Sequence, residues 1–366
     1  MVQIIREVGG LKIFETMAKE GHEQLFFNHD RTTGLKSLIA IHDSTLGPAL
    51  GGCRMWNYDT EEEAVLDVLR LSKGMTFKSA VSGVDYGGGK SLIWGNPATD
   101  KSEGLFRAFA RYVEVLNGRF MTGTDVGTTF DDFVIALKET KYVGALPAEY
   151  GGGGNSGIIT AYGTWRAIKA VAKELFGNDE LKDKVIAVQG LGKVGLHLVG
   201  HLIEEGAKVI GCDINEDNIK AVQEKYQIEI VAPDSIYDVE CDIYSPNALG
   251  GVLNDDTIPR LKCKGIAGAA NNVLAEPRHA QAVADRGILY APDYVANAGG
   301  LIQVADELEG YNKERAFRKA SMIYNRLLDI FAAAKEQGIT TDEAANKLVE
   351  QRLNEIGRIT RNYVGK

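Results

Sequence analysis

KVIAVQGLGKVG, residues 184–195, decides the fold. A short β-branched run leads into Gly190-x-Gly192-x-x-Gly195, and the residues that follow (HLVGHLIEEG, 197–206) have the spacing of a helix. A second strand-like run, AKVIGCD, then ends on Asp213. Strand, glycine turn, helix, strand and terminal carboxylate make the full dinucleotide-binding fingerprint, where G-x-G-x-x-G alone is weak. In it Gly190 serves the tight turn, Gly192 the close approach of a pyrophosphate, and Gly195 helix–strand packing, with Leu191, Lys193 and Val194 completing the loop. The pyrophosphate is expected at the helix N-terminus, whose free amides suit an anion. Asp213 is expected to accept the adenosine ribose hydroxyls. Ile214, Asn215 and Glu216 follow it with no arginine for a 2′-phosphate, which favours NAD over NADP.

Working outward, IEIVA (228–232), CDIYS (241–245), CKGIAGAA (263–270) and ILYAPD (288–293) are further short strands, several separated by helical stretches such as EDNIKAVQEKYQ (216–227). That alternation predicts a doubly wound parallel sheet. GIITAYGTWRAIKAVAKELFG (157–177) reads as a long helix stopped by Gly177, residues 312–337 as one long amphipathic helix, and 341–359 as another. GGGG at 151–154 is the clearest break. Before it come a strand (35–42), a helix over 61–78 with Thr60 as N-cap, and the strand-like SLIWG and RFMTG. The fold class is therefore α/β in two domains. Residues 1–150, completed by a C-terminal helix at 338–366, form one, and 151–337 form the Rossmann-type NAD-binding domain.

Length and composition agree with a two-domain globular chain: 366 residues, 45% hydrophobic and 25% charged. The net charge of −9, with no basic block interleaved with aromatics, argues against nucleic acid. No apolar run approaches a membrane span, and the N-terminus lacks a signal-peptide core. Four isolated cysteines support neither a metal site nor a disulfide framework, so a cytoplasmic location and no metal are expected. Glycines cluster at 51–52, 87–89, 151–154, 250–251 and 299–300, which suggests backbone approaching ligands.

GVDYGGGKSLIWG (83–95) resembles a phosphate loop but fails it. Counting back from Gly89-Lys90-Ser91 puts Val84 where the first glycine belongs, and SLIW reads as a strand rather than a helix start. Its lysine is free for other chemistry. Lys78, Lys90 and Asp125 each lie beside glycines or at an element end. A buried lysine near a second cation loses its proton more easily and can act as a base, while the other holds a carboxylate. The residues alone reach an NAD-dependent redox enzyme with a lysine-rich anion site.

LGPALGGCRMW (46–56), GMTFK (74–78), GGGK (87–90), TGTDVGT (122–128), QGLGKVG (189–195), AGAANN (267–272) and APDYVANAGGLIQVADEL (291–308) resemble the amino-acid dehydrogenase superfamily, and within it the leucine/phenylalanine dehydrogenase branch. The resemblance runs from about residue 13 to about residue 350. It implies reversible oxidative deamination of an L-amino acid by NAD to a 2-oxo acid and ammonium, in a homo-oligomer whose two domains flank a cleft. It gives Lys78 the substrate carboxylate, Lys90 the activation of water, and Asp125 the amino group and its protons. Gly51 and Gly52 would let the chain approach the substrate. Asn271, Asn272, Asn297 and Thr160 would stand on the cofactor side, with Asn271 also reaching the substrate. Leu50, Met75, Gly123, Leu301 and Val304 would line the side-chain pocket. Gly123 with Leu301 is similar to phenylalanine-type members, the missing methyl making room for a ring. Leucine or valine, and larger aromatics, are the alternatives. A glutamate-type enzyme would need a further cation, and a non-catalytic NAD sensor would have lost one of the three polar residues. Two departures stand out: no proline in 151–163, and Asn247 where a cysteine is common.

Overall fold

The computed structural model describes residues 11–361 as two compact units. One runs to Gly154 and takes in Glu307–Glu309 and the chain from Leu353. The other comprises Asn155–Asp306 and Gly310–Arg352.

The first unit contains, in chain order, α1 (Ile13–Glu20), β1 (Gln24–His29), β2 (Lys36–Asp43), β3 (Ala49–Leu50), β4 (Cys53–Trp56), α2 (Glu61–Ser82), β5 (Gly87–Trp94), α3 (Glu103–Val115), β6 (Phe120–Met121) and α4 (Phe130–Ala136). Its sheet has the order β1-β2-β5-β3-β6, with β4 also paired to β5. Helix α2 starts where Thr60 accepts the Glu63 amide and ends at Gly83 in the left-handed region, one turn beyond the expected Lys78. Its buried positions, Ala64, Val65, Val68, Leu69, Ser72, Thr76, Ser79 and Ala80, follow helical spacing and lie on the sheet. Helix α3 packs Leu105, Phe106, Phe109 and Val113 on the opposite face, around Phe120 and Phe133.

Strand β5 corrects the sequence reading. It begins at Gly87, so the triple glycine opens the strand that the sequence shows only from SLIW onward. Side chains alternate across a strand, and a Cβ on Gly88 would stand 2.2 Å from the Thr76 nitrogen of α2. One on Gly89 would stand 2.7 Å from the Phe120 ring, on the other face. These glycines let a helix and an aromatic core close on a central strand from both sides.

The second unit contains α5 (Gly157–Phe176), β7 (Val185–Gln189), α6 (Lys193–Glu204), β8 (Lys208–Cys212), α7 (Glu216–Gln223), β9 (Glu229–Ile230), β10 (Ile243–Pro246), β11 (Gly265–Ile266), α8 (His279–Asp285), β12 (Leu289–Tyr290), α9 (Asp293–Ala296), α10 (Gly299–Leu308), α11 (Lys313–Ser321), α12 (Ile323–Gln337) and α13 (Thr341–Arg361). Six parallel strands are ordered β12-β11-β10-β7-β8-β9. The order reverses between β7 and β10, and ligands of such sheets bind at the strands' carboxyl ends beside that switch point. The single helix expected over 312–337 is two. Met322 bonds back three residues, to the Lys319 carbonyl at 3.1 Å, which breaks the α-ladder. The next residue, Ile323, packs on Gly163 of α5, where a Cβ would stand 2.7 Å from its Cδ1.

The last helix also departs from expectation. Most of α13 belongs to the second unit, with only the chain from Leu353 in the first. Its start is tied to β12 and α9: the Thr341 hydroxyl donates to the Tyr290 carbonyl (2.6 Å), and Tyr294 donates to Asn346 Oδ1 (2.9 Å). Burial and the neighbouring Asp293 raise the Asp342 carboxyl to about 6. An acid whose pKa rises on folding adds stability while protonated and loses it as pH climbs through the folded value. Asp342→Asn is therefore expected to melt higher than the parent at about pH 8, with the gap closing toward about pH 4. Thermal unfolding at the two pH values checks it.

Candidate active site

Lys90 lies in the middle of β5 and is 6% exposed. It shares a face with Gly88 and Leu92, the face covered by α2. Its Nζ is 2.6 Å from Asp125 Oδ2, and the Arg54 Nε is 3.6 Å from the same oxygen. Burial works against ionisation of Asp125, but Lys90 and then Arg54 outweigh it and hold the carboxyl below its usual range. A buried ammonium requires such a partner, because an unpaired one is expelled or loses its charge.

The loop carrying Asp125 is laced to β4. The Cys53 amide donates to the Gly123 carbonyl (2.8 Å) and the Met55 amide to the Val126 carbonyl (2.9 Å). Thr128 Oγ1 accepts the Asp125 amide (2.9 Å) and donates to the Cys53 carbonyl (3.0 Å). Close packing also surrounds three glycines assigned above to the substrate. A Cβ on Gly51 would stand 1.8 Å from the Gly89 oxygen, and one on Gly52 2.9 Å from Asp125 Cβ. One on Gly123 would meet the Gly144 oxygen at 2.9 Å and Ala145 Cβ at 3.1 Å. The space beside Gly123 is thus taken by the 144–145 segment, and its missing methyl does not itself vacate room for a ring.

Eleven residues of α-helix return to within about 20° of the starting direction, so Asp67 and Lys78 share one stripe of α2. Leu71 and Met75 lie between them, all four half-buried. Leu50, 2% exposed and in register with Gly88, faces the same side of the sheet. The first unit thus gathers Lys78, Lys90, Asp125, Leu50 and Met75 on one face.

In the second unit the three fingerprint glycines differ as their roles require. Gly190 has φ +97, and its Cβ would press on Ala248 after β10. A Cβ on Gly195 would stand 2.1 Å from the Gly190 oxygen, so helix and turn touch there. Gly192, which caps α6, meets only Asn218 Nδ2 at 3.7 Å, and no side chain caps the helix. Open space over uncapped helix amides fits a dinucleotide pyrophosphate. Lys193 and Val194 begin α6, and the Leu191 amide donates to Asp213 Oδ2 at 2.7 Å. Asp213 also accepts the Asn215 amide and Asn218 Nδ2. It closes the loop and retains capacity for one further donor, since a carboxylate has about four acceptor positions.

Asn271 and Asn272 lie exposed beyond the carboxyl end of β11. Asn297 is 4% exposed, and its Nδ2 donates to the Ala270 carbonyl (3.1 Å) and Asn271 Oδ1 (2.9 Å). It braces Asn271 from behind. Thr160 is half-buried on α5, where Gly299 packs against the backbone of Ile159 and Thr160. On α10, Leu301 is 8% exposed and Val304 half-buried, one turn apart on one side. Among the described residues no three His, Cys, Asp or Glu side chains form a group able to hold a metal, and no helix is long and apolar enough to cross a membrane.

A family model described as "Glu/Leu/Phe/Val dehydrogenase, dimerisation domain" matches residues 22–142, and one described as "Glutamate/Leucine/Phenylalanine/Valine dehydrogenase" matches 151–217 and 212–358. The chain belongs to this dehydrogenase family. It is 52% identical to leucine dehydrogenase of Thermoactinomyces intermedius over 96% of each chain. It is also 52% identical to phenylalanine dehydrogenase of Bacillus thermotolerans, over 96% of this chain and 93% of that one. The crystal structure of L-tryptophan dehydrogenase from Nostoc punctiforme superimposes with a TM-score of 0.84 at 45% identity, covering 94% of this chain and 99% of that one. The protein is an amino-acid dehydrogenase of the leucine/phenylalanine type, in a family that uses NAD or NADP.

The two positions singled out in the sequence each sit in local hydrogen bonds. Asn155 Oδ1 accepts the Gly157 amide at 3.0 Å, an Asx turn just ahead of α5, where no proline stands. Asn247 donates to the Ser245 carbonyl (2.8 Å) and accepts the Ala269 amide (2.9 Å), joining the carboxyl ends of β10 and β11. Sequence reading missed Arg54, Asp67 and Tyr58. The one signal available was Arg54 itself, a charge inside the quoted GGCRMW block.

Proposed function

We propose that this dehydrogenase catalyses the NAD-dependent, reversible oxidative deamination of a hydrophobic L-amino acid, with phenylalanine the leading substrate and leucine or valine the alternative. The observation that carries the reading is the buried Lys90 Nζ at 2.6 Å from Asp125. Bound NAD supplies the acceptor for the hydride leaving the substrate Cα, and the open cap at Gly192 with Asp213 would hold it. Lys78 holds the substrate carboxylate. Asp125 takes the amino group and its departing proton. Lys90 accepts a proton from water as that water attacks the imine carbon, and the ammonium so formed lies 2.6 Å from Asp125. Asp125 returns its proton to the carbinolamine nitrogen, the C–N bond breaks as the hydroxyl becomes the 2-oxo group, and the nitrogen leaves with the hydroxyl proton as ammonium.

Apolar Leu50, Met75, Leu301 and Val304 favour an uncharged side chain over a second carboxylate. Leu301 supports an aromatic one. Gly123 does so only through the path it allows the 144–145 segment. Asp213, with no arginine after it, favours NAD. The site residues named, a homo-oligomeric state and the preference for phenylalanine form one reading, tested by a panel of Phe, Tyr, Trp, Leu, Val, Ile and Glu with NAD or NADP. The expected result is highest kcat/KM for phenylalanine, none for glutamate, and at least about tenfold preference for NAD. Glutamate as best substrate would overturn the pocket reading. NAD binding without turnover of any amino acid would establish the sensor alternative instead.

A further inference from the structure

We propose that Arg54 is a positioning residue for Asp125, clamped by Asp67 and Tyr58, and that this clamp governs how the Lys90–Asp125 pair handles its proton. The inference rests on the roles given to Lys90 and Asp125 above.

Arg54 follows Cys53 on β4, and register with Leu92 puts it on the face that carries Lys90. Its Nη1 donates to Asp67 Oδ2 at 2.8 Å. The Tyr58 hydroxyl donates to the same oxygen at 2.7 Å, and Arg70 donates to Oδ1 at 2.9 Å. A guanidinium is planar and rigid, so pinning one nitrogen sets where the others point. The Nε so directed is buried, has no hydrogen-bond acceptor, and stands 3.6 Å from Asp125 Oδ2. The lacing of residues 123–128 onto β4 fixes the Asp125 backbone relative to the same strand.

The charges give this geometry a purpose. Asp125 is faced by Lys90 from β5, by Arg54 and the Cys53 thiol from β4, and by the Val126 amide of its own loop. Burial pushes the Cys53 thiol up to about 12, so it stays neutral. Asp67, held below its usual range by Tyr58 and Arg54 against the effect of burial, balances Arg54. When Lys90 gives up its proton, Arg54 still stands beside Asp125 as a cation, because a guanidinium does not titrate in proteins. Asp125 can then remain a carboxylate and hold the substrate amino group. Without Arg54 the pair would share one proton, and the deprotonated state would appear only at higher pH.

The test compares wild type, Arg54→Met, Arg54→Lys and Asp67→Asn in pH profiles of kcat and kcat/KM, with NAD dissociation constants and melting temperatures alongside. Arg54→Met is expected to lower kcat more than tenfold while changing KM less, and to move the rising limb of the profile up by about one pH unit. Arg54→Lys is expected to restore the limb but only part of kcat. Asp67→Asn, which keeps the arginine, should move in the same direction by less. NAD affinity should stay within about twofold. An Arg54→Met profile that superimposes on wild type would overturn the inference, whatever the melting temperature does. A wild type that turns over no amino acid would overturn the parent reading, and this one with it.

Discussion

Replacing Lys90 by methionine is expected to lower kcat at least about a thousandfold, the middle of the usual range for losing one acid–base group. Methionine keeps the length and the apolar stem and removes only the ammonium, so the 6%-exposed site stays filled. Asp125 would lose its 2.6 Å partner but not Arg54, which stands at 3.6 Å. The variant should therefore fold, and melting should shift far less than activity. NAD affinity should change no more than a few-fold, because the glycine loop and Asp213 belong to the other unit. Steady-state NADH formation with an NAD titration checks both halves. Lost NAD affinity with retained turnover would place Lys90 in the cofactor site after all.

The second large effect concerns folding. Gly88→Ala would set a methyl 2.2 Å from the Thr76 nitrogen and 2.6 Å from the Ser72 oxygen, both helix backbone with no freedom to move aside. Helix α2 must lift from β5, carrying Met75 and Lys78 with it. A loss of about 3 kcal/mol or more is expected, at or beyond the usual range for overpacking. Gly74, on the same helix, meets nothing within 4 Å, and Gly74→Ala should stabilise by about 0.5–1 kcal/mol. Urea unfolding of both variants against the parent reads the contrast. Equal stabilities would mean that α2 is not seated on β5 as described.

The second half of the chain was largely legible because its signals are local. Val185–Gly195 announces strand, turn and helix within a dozen residues, and each later strand is a short aliphatic run between turn residues. The glycines at 51–52, 87–89 and 123 are places of close approach, as the sequence suggests, and the neighbours a Cβ would meet there are parts of the protein itself. Spacing shows that a Cβ is forbidden. It does not show whether a ligand, a helix or a neighbouring strand forbids it. Lys78, Lys90 and Asp125 stood out as motif residues, whereas Asp67 and Tyr58 did not. Their meaning depends on a contact between β4 and α2 that no local pattern encodes. The break at Met322 was hidden for a related reason, since the helical periodicity of 312–337 continues through it. The path of α13 follows from Ala344, Ala345 and Val349, all buried, where the sequence shows only an amphipathic helix.

The most direct test of the account is the balance of products from the purified chain with NAD and L-phenylalanine at mildly alkaline pH. NADH, ammonium and the 2-oxo acid should form in equal amounts, and the Lys90→Met variant should form none of the three while still binding NAD. NADH without ammonium, or the same balance from the Lys90 variant, would contradict it.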